Sequence, residues 1–176
     1  MKRINIFILS MVAIFFSCNK VDNYPSPSDT IYGKLTDLIT NESLQSEEPN
    51  GFSIKLFENG GNINSPIVTQ GKSDGTYENA MLFKNEYKVI PCEGAFFPLD
   101  TAIVQVGART EANFNVIPFL AVTNVTVSTA TGTVDAVYNI ARSRVGDKIV
   151  ERKTLVSSIP TVNNVVYDLK KETSLS

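Results

Sequence analysis

Residues 73–89 (SDGTYENAMLFKNEYKV) carry the pattern on which the fold prediction depends. Asp74-Gly75 is typical of a tight turn, because Gly accepts a positive φ at no steric cost and Asp can hydrogen-bond its own backbone. A short strand follows, Lys84-Asn85 predicts a polar turn, and the next strand places Tyr87 and Val89 on one face. The stretch therefore predicts a β-hairpin in the middle of a β-rich domain.

The sequence on either side of this hairpin has the same β character. Val, Ile, Thr, Phe and Tyr dominate it, Gly, Asn, Pro and Asp mark the turns, and helical periodicity is nearly absent. That combination predicts an all-β protein of the sandwich type. Further strands are predicted at Thr30–Asp37, Phe52–Leu56, Thr101–Val106 and Asn113–Val116.

The N-terminus predicts export. A basic pair precedes the apolar run Ile4–Phe16, which is too short to span a bilayer because a transmembrane helix needs about 20 residues. The run is typical of a secretory signal peptide, and Phe15-Phe16-Ser17-Cys18 resembles a bacterial lipobox. Residues 1–17 are therefore predicted to be a lipoprotein signal peptide, with Cys18 as the lipidated anchor in the outer membrane. The alternative is an ordinary signal peptide with an incidental cysteine.

Two short inferences follow for the exported part of the chain. Residues 18–29 are polar and contain Pro25 and Pro27, which predicts an extended tether between the membrane and a folded domain. Once Cys18 is lipidated, Cys92 is the single remaining thiol, so no intramolecular disulfide is expected. The chain has no His that could deprotonate Cys92 as a catalytic base. Cys92 is therefore expected to be a partly buried structural thiol.

Composition argues against several classes of function. The formal net charge is −2 and no basic patch is present, so nucleic acid is not an expected partner. Without His, catalytic triads and most metal sites are ruled out, and no carboxylates have the spacing of a calcium loop. We expect no enzyme activity, no cofactor and no metal. Asp74 and Glu78 are expected in turn and surface roles, and Glu47-Glu48 in a solvated loop.

The order of several short segments resembles that of carboxypeptidase-regulatory-like domains. Asn41 stands where that family usually has a Gly, and Asn can also occupy a left-handed turn position. The resemblance implies a prealbumin-like (transthyretin-like) fold over residues 30–118, which is a small seven-stranded β-sandwich. The segments that carry it are Gly33–Asp37, Asn41–Leu44, Phe52–Leu56, Ser73–Tyr77 and Asn85–Val89.

A narrower resemblance concerns habitat. Pro49-Asn50-Gly51-Phe52 and Gly94-Ala95-Phe96-Phe97 are similar to an uncharacterised family of Bacteroidetes surface lipoproteins. Those proteins are usually encoded beside outer-membrane transporter and glycan-binding lipoprotein pairs of the starch-utilisation type. The resemblance implies an accessory protein of a glycan-uptake system that binds oligosaccharide weakly or docks on the transporter pair. The alternative is a non-catalytic structural spacer or adhesion module of the cell surface.

Residues 119–176 predict a second β unit. Strands are expected from Val122 and Val134 onward, separated by a turn at Gly132, and Arg142–Lys148 is expected to form a polar hairpin. A further strand is predicted at Val162–Leu169. The pattern resembles an immunoglobulin-like sandwich, which commonly needs about 100 residues, so a smaller or incomplete domain is expected. The two units together would form tandem β-sandwiches.

Candidate ligand contacts are aromatic residues, since sugar faces stack on aromatic rings. The candidates are Tyr77, Phe96 and Phe97. The alternative is that Phe96 and Phe97 hold a long loop onto the sandwich, and the absence of Trp counts against a dedicated carbohydrate-binding module. Thr30 and Thr101 lie in Asp-Thr-aliphatic tripeptides, which resemble O-glycosylation sites of exported Bacteroidetes proteins.

Surface display is the first testable prediction. A lipid-anchored protein on the outer face should be degraded when protease is added to intact cells, because no membrane then separates the protease from the protein. The measurement is immunoblotting after protease shaving, with a periplasmic protein as the protected control. Full protection of the protein would place it on the periplasmic face instead.

Overall fold

The computed structural model describes residues 24–175, so the predicted signal peptide and Cys18 lie outside the described range. Regular structure within this range is entirely β, as predicted, and no helix there is long and apolar enough to cross a membrane. The strands in chain order are β1 (Asp29–Asp37), β2 (Ser53–Glu58), β3 (Ile67–Gln70), β4 (Thr76–Leu82), β5 (Asn85–Cys92), β6 (Ala102–Val106), β7 (Arg109–Glu111), β8 (Phe114–Val116), β9 (Leu120–Ala130), β10 (Thr133–Arg142), β11 (Glu151–Val156) and β12 (Leu169–Ser174).

The first eight strands form two four-stranded sheets. In one sheet β1 is central, with β4 antiparallel on one side and the short strands β7 and β8 parallel to it. The other sheet has the order β3-β2-β5-β6 and is antiparallel throughout. Strands β1, β2, β5, β6 and β8 agree closely with the predicted segments, whereas β7 was not predicted.

One hydrophobic core lies between these two sheets. Alternate side chains of each sheet point into it, as expected for strands with one buried face. Burial of each large side chain contributes roughly 1.5–3 kcal/mol relative to exposure. The core residues are Ile31, Leu35, Leu44, Phe52, Ile54, Leu56, Tyr77, Leu82, Tyr87, Val89, Phe96, Val106 and Val116.

The hairpin predicted over residues 73–89 is wrong, although its two strands exist. Strand β4 pairs with β1 and strand β5 pairs with β2 and β6, so the chain crosses from one sheet to the other between them. A two-residue hairpin turn needs positive φ angles, and residues 83–85 have none. Instead the hydroxyl of Tyr87 donates to the carbonyl of Phe83 at 3.0 Å and holds the crossing.

Two turns earlier in the chain agree with the sequence prediction. Gly75 has φ +81° and its amide donates to the carbonyl of Lys72 at 3.0 Å. The carboxylate of Asp74 accepts hydrogen bonds from the amide and hydroxyl of Thr76, and these bonds hold the pKa of Asp74 below its usual range. Asn41 has φ 60°, the left-handed conformation expected for a residue in place of Gly.

Strand β1 approaches the break between β7 and β8 very closely. The hydroxyl of Tyr77 donates to the carbonyl of Ala112 at 2.5 Å, and the amide of Ala112 donates to the carbonyl of Tyr32 at 2.8 Å. A Cβ atom on Gly33 would lie 1.9 Å from the Ala112 carbonyl oxygen. Only glycine therefore allows β1 to pair along both β7 and β8.

The last four strands form two separate two-stranded antiparallel sheets, β9-β10 and β11-β12. The predicted hairpin over Arg142–Lys148 is wrong, because β10 pairs with β9 and β11 pairs with β12. The strand predicted at Val162–Leu169 is misplaced, since β12 begins only at Leu169. These four strands build a smaller β unit than a seven-stranded immunoglobulin-like sandwich.

The loop before β12 rests on the first unit. The side-chain amide of Asn163 donates to the carbonyl of Glu48 at 3.1 Å, and the backbone amide of Asn164 donates to the carboxylate of Glu47 at 3.0 Å. The Glu48 carboxylate in turn accepts from the amide and hydroxyl of Ser73. Glu47 and Glu48 therefore connect the two units, which corrects the expectation of a merely solvated loop.

We predict that Gly33→Ala lowers the free energy of unfolding by about 3 kcal/mol, because the new methyl group would overpack the Ala112 carbonyl. Thermal and urea unfolding of the purified protein measure this loss. Gly107→Ala is the matched control, since its Cβ would meet only the flexible Lys84 side chain at 3.8–3.9 Å. The control should stay within about 1 kcal/mol of the parent. Equal losses in the two variants would contradict the close approach at Gly33.

We predict a pH-dependent effect of Tyr77→Phe. At about pH 8 the variant should lose about 1–2 kcal/mol, because the buried Ala112 carbonyl loses its donor. Burial raises the pKa of Tyr77 above that of an unfolded tyrosine. The stabilisation from its protonated hydroxyl is therefore fully present below the unfolded pKa of about 10 and falls as pH rises above it.

Urea unfolding at about pH 8 and about pH 11 measures this dependence. The difference in stability between parent and Tyr77→Phe should shrink at the higher pH, because the Tyr77 contribution falls only in the parent. The raised pKa of Tyr87 affects both proteins alike. A stability difference that stays constant across this range would contradict the prediction.

Candidate functional site

The structure corrects two of the three predicted ligand contacts. Tyr77 is 1% exposed and Phe96 is 4% exposed, and both belong to the hydrophobic core. Their ring faces are covered by protein, so neither can stack on a sugar. The alternative interpretation of Phe96 is the right one, since it holds the loop between β5 and β6 onto the sandwich.

Phe97, the third candidate, lies where the two β units meet. Its amide donates to the carbonyl of Ile117 at 2.9 Å, and the amide of Phe119 donates to the carbonyl of Ala95 at 2.8 Å. Phe96 also forms a β-bridge with Pro118. These bonds pair the loop with the segment that leads into β9, and they fix Phe97 beside Phe119.

Two aromatic rings and a cation form a cluster at this junction. The rings of Phe97 and Phe119 meet edge to face, with centroids 4.9 Å apart and an interplanar angle of 82°. The guanidinium carbon of Arg144 lies 3.5 Å from the Phe97 centroid, a close cation–π contact. Phe119 remains 42% exposed, so it offers the accessible aromatic surface that was expected of Phe96.

An open cleft of about 530 Å³, termed here the Phe119 cleft, adjoins this group. Its wall is apolar on the side of Phe97 and Phe119, and its rim carries charged side chains from the end of β10, the loop that follows and the start of β11. Arg142 is held there by donating to the Asp147 carbonyl at 2.6 Å. The lining residues are Phe97, Phe119, Leu120, Arg142, Asp147, Lys148, Ile149, Val150 and Glu151.

The chemistry of this cleft suits recognition of an amphipathic ring. Ligand sites are typically clefts of about 300–1,000 Å³ that combine apolar walls with a few polar groups for orientation. Phe119 supplies an aromatic surface, while Arg142, Lys148 and Glu151 supply donors and acceptors at the rim. A sugar presents the matching features, with an apolar ring face and hydroxyl groups around its edge.

Sequence reasoning missed Phe119 and the charged rim. Phe119 lies next to the predicted domain boundary and carries no motif of its own. The charged rim residues lie between the end of β10 and the start of β11. This segment is distant in sequence from Phe97 and reaches it only because β10 returns along β9. The amide of Ser143 donates to the Phe119 carbonyl at 3.1 Å and fixes this return.

The two candidate O-glycosylation sites differ in access. Thr30 is 8% exposed and lies inside strand β1, so the folded chain does not present its hydroxyl to a transferase, and this burial argues against modification at Thr30. Thr101 is exposed and lies just before β6. Its modification remains a prediction.

A small polar cluster surrounds the free thiol of Cys92, which is partly buried as expected. The carboxylate of Glu93 accepts hydrogen bonds from Lys55 and from Ser53, each at 2.6 Å. These bonds, led by that from Lys55, hold the pKa of Glu93 below its usual range. Ser53 is buried and its hydroxyl lies 3.5 Å from the Cys92 sulfur. These contacts tie the end of β5 to β2.

Among the remaining acidic residues, Glu78 has a structural partner. Glu78 forms an ion pair with Arg109 at 2.9 Å, which agrees with its predicted surface role. Within residues 24–175, no group of three or more Cys, Asp or Glu side chains is arranged to hold a metal ion.

Solved structures resemble this fold over most of its length. A DUF3823 family protein from Parabacteroides merdae has a TM-score of 0.75 at 22% identity, covering 85% of this chain and 76% of its own. A Bacteroides uniformis protein described as a "putative carbohydrate binding protein" has a TM-score of 0.75 at 24% identity, covering 85% of this chain and 71% of its own. A DUF3823 family protein from Bacteroides ovatus has a TM-score of 0.70 at 19% identity, covering 84% of this chain and 74% of its own.

These structural likenesses establish the fold alone. Comparison with curated proteins found no match. The family model described as "Protein of unknown function (DUF3823) N-terminal domain" matches residues 29–117, slightly more than half of the chain. That range covers both four-stranded sheets, from the first residue of β1 to just beyond β8. The chain therefore belongs to the DUF3823 family.

Proposed function

We propose that this protein is a lipid-anchored accessory protein of a glycan-uptake system, and that it binds oligosaccharide weakly in the Phe119 cleft. The observation that carries the proposal is the exposed ring of Phe119 at the apolar wall of a cleft whose rim is charged. Such a site can stack a sugar ring and hydrogen-bond its hydroxyls at the same time. Cys18 anchors the protein in the outer membrane, with the β units facing outward.

Two further observations support a glycan as the ligand. One neighbour of the same fold is described as a "putative carbohydrate binding protein". The sequence also resembles carboxypeptidase-regulatory-like domains and lipoproteins encoded beside transporter pairs of the starch-utilisation type. On this proposal the protein holds an oligosaccharide near such a pair, on which it also docks.

Weak binding follows from the composition of the cleft. Trp, which offers the largest stacking surface, is absent from the chain, and Phe119 has no hydroxyl to orient a ligand. One face of Phe97 is already covered by Arg144. A single phenylalanine ring with exposed charged neighbours is consistent with a low-affinity site that concentrates a polymer rather than retaining it.

A structural spacer is the second candidate, and the junction between the two units favours it. The loop around Phe96 pairs with the segment before β9, while Asn163 and Asn164 bond to Glu48 and Glu47. These contacts fasten the units at two separate points. A rigid junction of this kind would hold a partner at a fixed distance from the membrane without any ligand.

We predict that affinity electrophoresis across plant and host polysaccharides will show retardation of the parent protein by at least one glycan. Phe119→Ala should weaken that retardation about tenfold, since loss of an aromatic contact forfeits roughly 1.5 kcal/mol. Phe83→Ala is the matched control, because Phe83 is 38% exposed and does not line the cleft. The control should bind like the parent.

Two outcomes would decide against the glycan proposal. If no polysaccharide retards a protein whose thermal transition shows that it is folded, the spacer becomes the better candidate. If Phe83→Ala and Phe119→Ala weaken binding equally, the contact is a general surface effect and the Phe119 cleft is not the site.

A further inference from the structure

The β11-β12 sheet sorts its charged side chains between its two faces. Residues paired across an antiparallel ladder share a face, and the pairs here include Lys153 with Glu172 and Thr154 with Lys171. On one face Lys153 forms ion pairs with Glu151 at 3.0 Å and with Glu172 at 3.2 Å. That face therefore neutralises its own charges.

The opposite face carries two cations without acidic partners. Arg152 pairs in register with Thr173, and Lys171 pairs with Thr154, so these four side chains share one face. Neither Arg152 nor Lys171 has an ion pair or a side-chain hydrogen bond among the described residues 24–175. Two neighbouring cations repel each other, and an anion bound between them would replace that repulsion with attraction.

These cations line a groove of about 280 Å³ between the β11-β12 sheet and strand β10. Tyr138 lies on the β10 side, where it is partly exposed, and Leu169 adds an apolar surface beside it. Asp135 is the one carboxylate in the lining, against Arg152, Lys170 and Lys171. Lys170 is engaged with Glu172 at 3.1 Å, so Arg152 and Lys171 remain as the available cations.

We propose that this groove binds the anionic group of an acidic saccharide, a carboxylate or a sulfate. Arg152 presents a planar fork of donors that matches either group, and Lys171 adds a second charge. The hydroxyls of Thr154 and Thr173 and the phenol of Tyr138 can bond the sugar hydroxyls. The identification of the ligand as a saccharide rests on the proposed function. The identification of its anionic group rests on the unpartnered cations Arg152 and Lys171.

The size of the groove restricts the kind of ligand. Its volume of about 280 Å³ lies just below the roughly 300–1,000 Å³ range of small-molecule sites. A groove of that size accommodates one or two sugar rings, not a folded protein surface. The site is separate from the Phe119 cleft, since the two share no lining residue.

Isothermal titration calorimetry with defined oligosaccharides tests the proposal. The probes are an oligogalacturonate, the same oligomer with its carboxylates methyl-esterified, and a carrageenan oligosaccharide of similar length, which carries sulfate but no carboxylate. We expect the acidic probes to bind at least about tenfold more tightly than the ester, because charged hydrogen bonds are the stronger ones. Binding should weaken at high ionic strength, since the cations are exposed. Preference between the two acidic probes distinguishes a carboxylate site from a sulfate site.

Charge-matched variants locate the site. Arg152→Gln and Lys171→Gln should each reduce the affinity for the better acidic probe about tenfold. Lys153→Gln removes the same charge from the opposite face of the same sheet, and it should change the affinity less than about threefold. Circular dichroism confirms that each variant is folded.

Three outcomes would overturn the proposal. The ester could bind as tightly as the acids, Lys153→Gln could weaken binding as much as Arg152→Gln, or neither acidic probe could bind. If the ester or a neutral oligosaccharide binds in a manner that depends on Phe119 alone, the function proposed for the cleft stands and this anion site is wrong. If the acids bind through Arg152 while Phe119→Ala has no effect on any glycan, the anion site stands and the cleft assignment is wrong.

Discussion

The close contact of Gly33, Ala112 and Tyr77 is the constraint on which the rest of the molecule depends. Since Gly33 has no side chain, the Ala112 carbonyl can lie against β1 and accept the Tyr77 hydroxyl. The chain is thereby fixed between β7 and β8, and β8 continues along β1 toward the segment that pairs with Phe97. A core contact in the first unit thus determines where the aromatic residues of the cleft lie.

Local sequence patterns predicted the strands well and their pairing poorly. Alternation located β1, β2, β5, β6 and β8, since burial of one strand face is a property of a few consecutive residues. Pairing depends on contacts far apart in sequence, so the hairpins predicted around Lys84-Asn85 and over Arg142–Lys148 are wrong. In both cases the following strand joins a different sheet. The φ angles that distinguish a hairpin turn from a crossing are not visible in a polar dipeptide.

The candidate sites were also only partly predictable from local sequence. A buried phenylalanine and an exposed one look the same in a sequence. The sequence therefore could not distinguish Phe96, which is buried, from Phe97, which lies at the junction of the two units. Phe119 was missed because its role depends on the return of β10 along β9. The cations Arg152 and Lys171 were missed because their neighbours in sequence are also charged. Only the register of β11 and β12 separates the neutralised face from the other.

The parallel pairing of β1 with β7 and β8 also affects the order of folding. Lys34 and Asn113, which hydrogen-bond across this pairing, are 79 positions apart in the chain. Closing such a large loop costs entropy before its contacts are gained, and folds dominated by distant pairings form slowly. During folding, strand β1 therefore gains its second neighbour only after nearly the whole DUF3823 segment is available to fold. Until then one edge of β1 stays open to other extended chains, so a chaperone that covers this edge would improve the yield of folded protein.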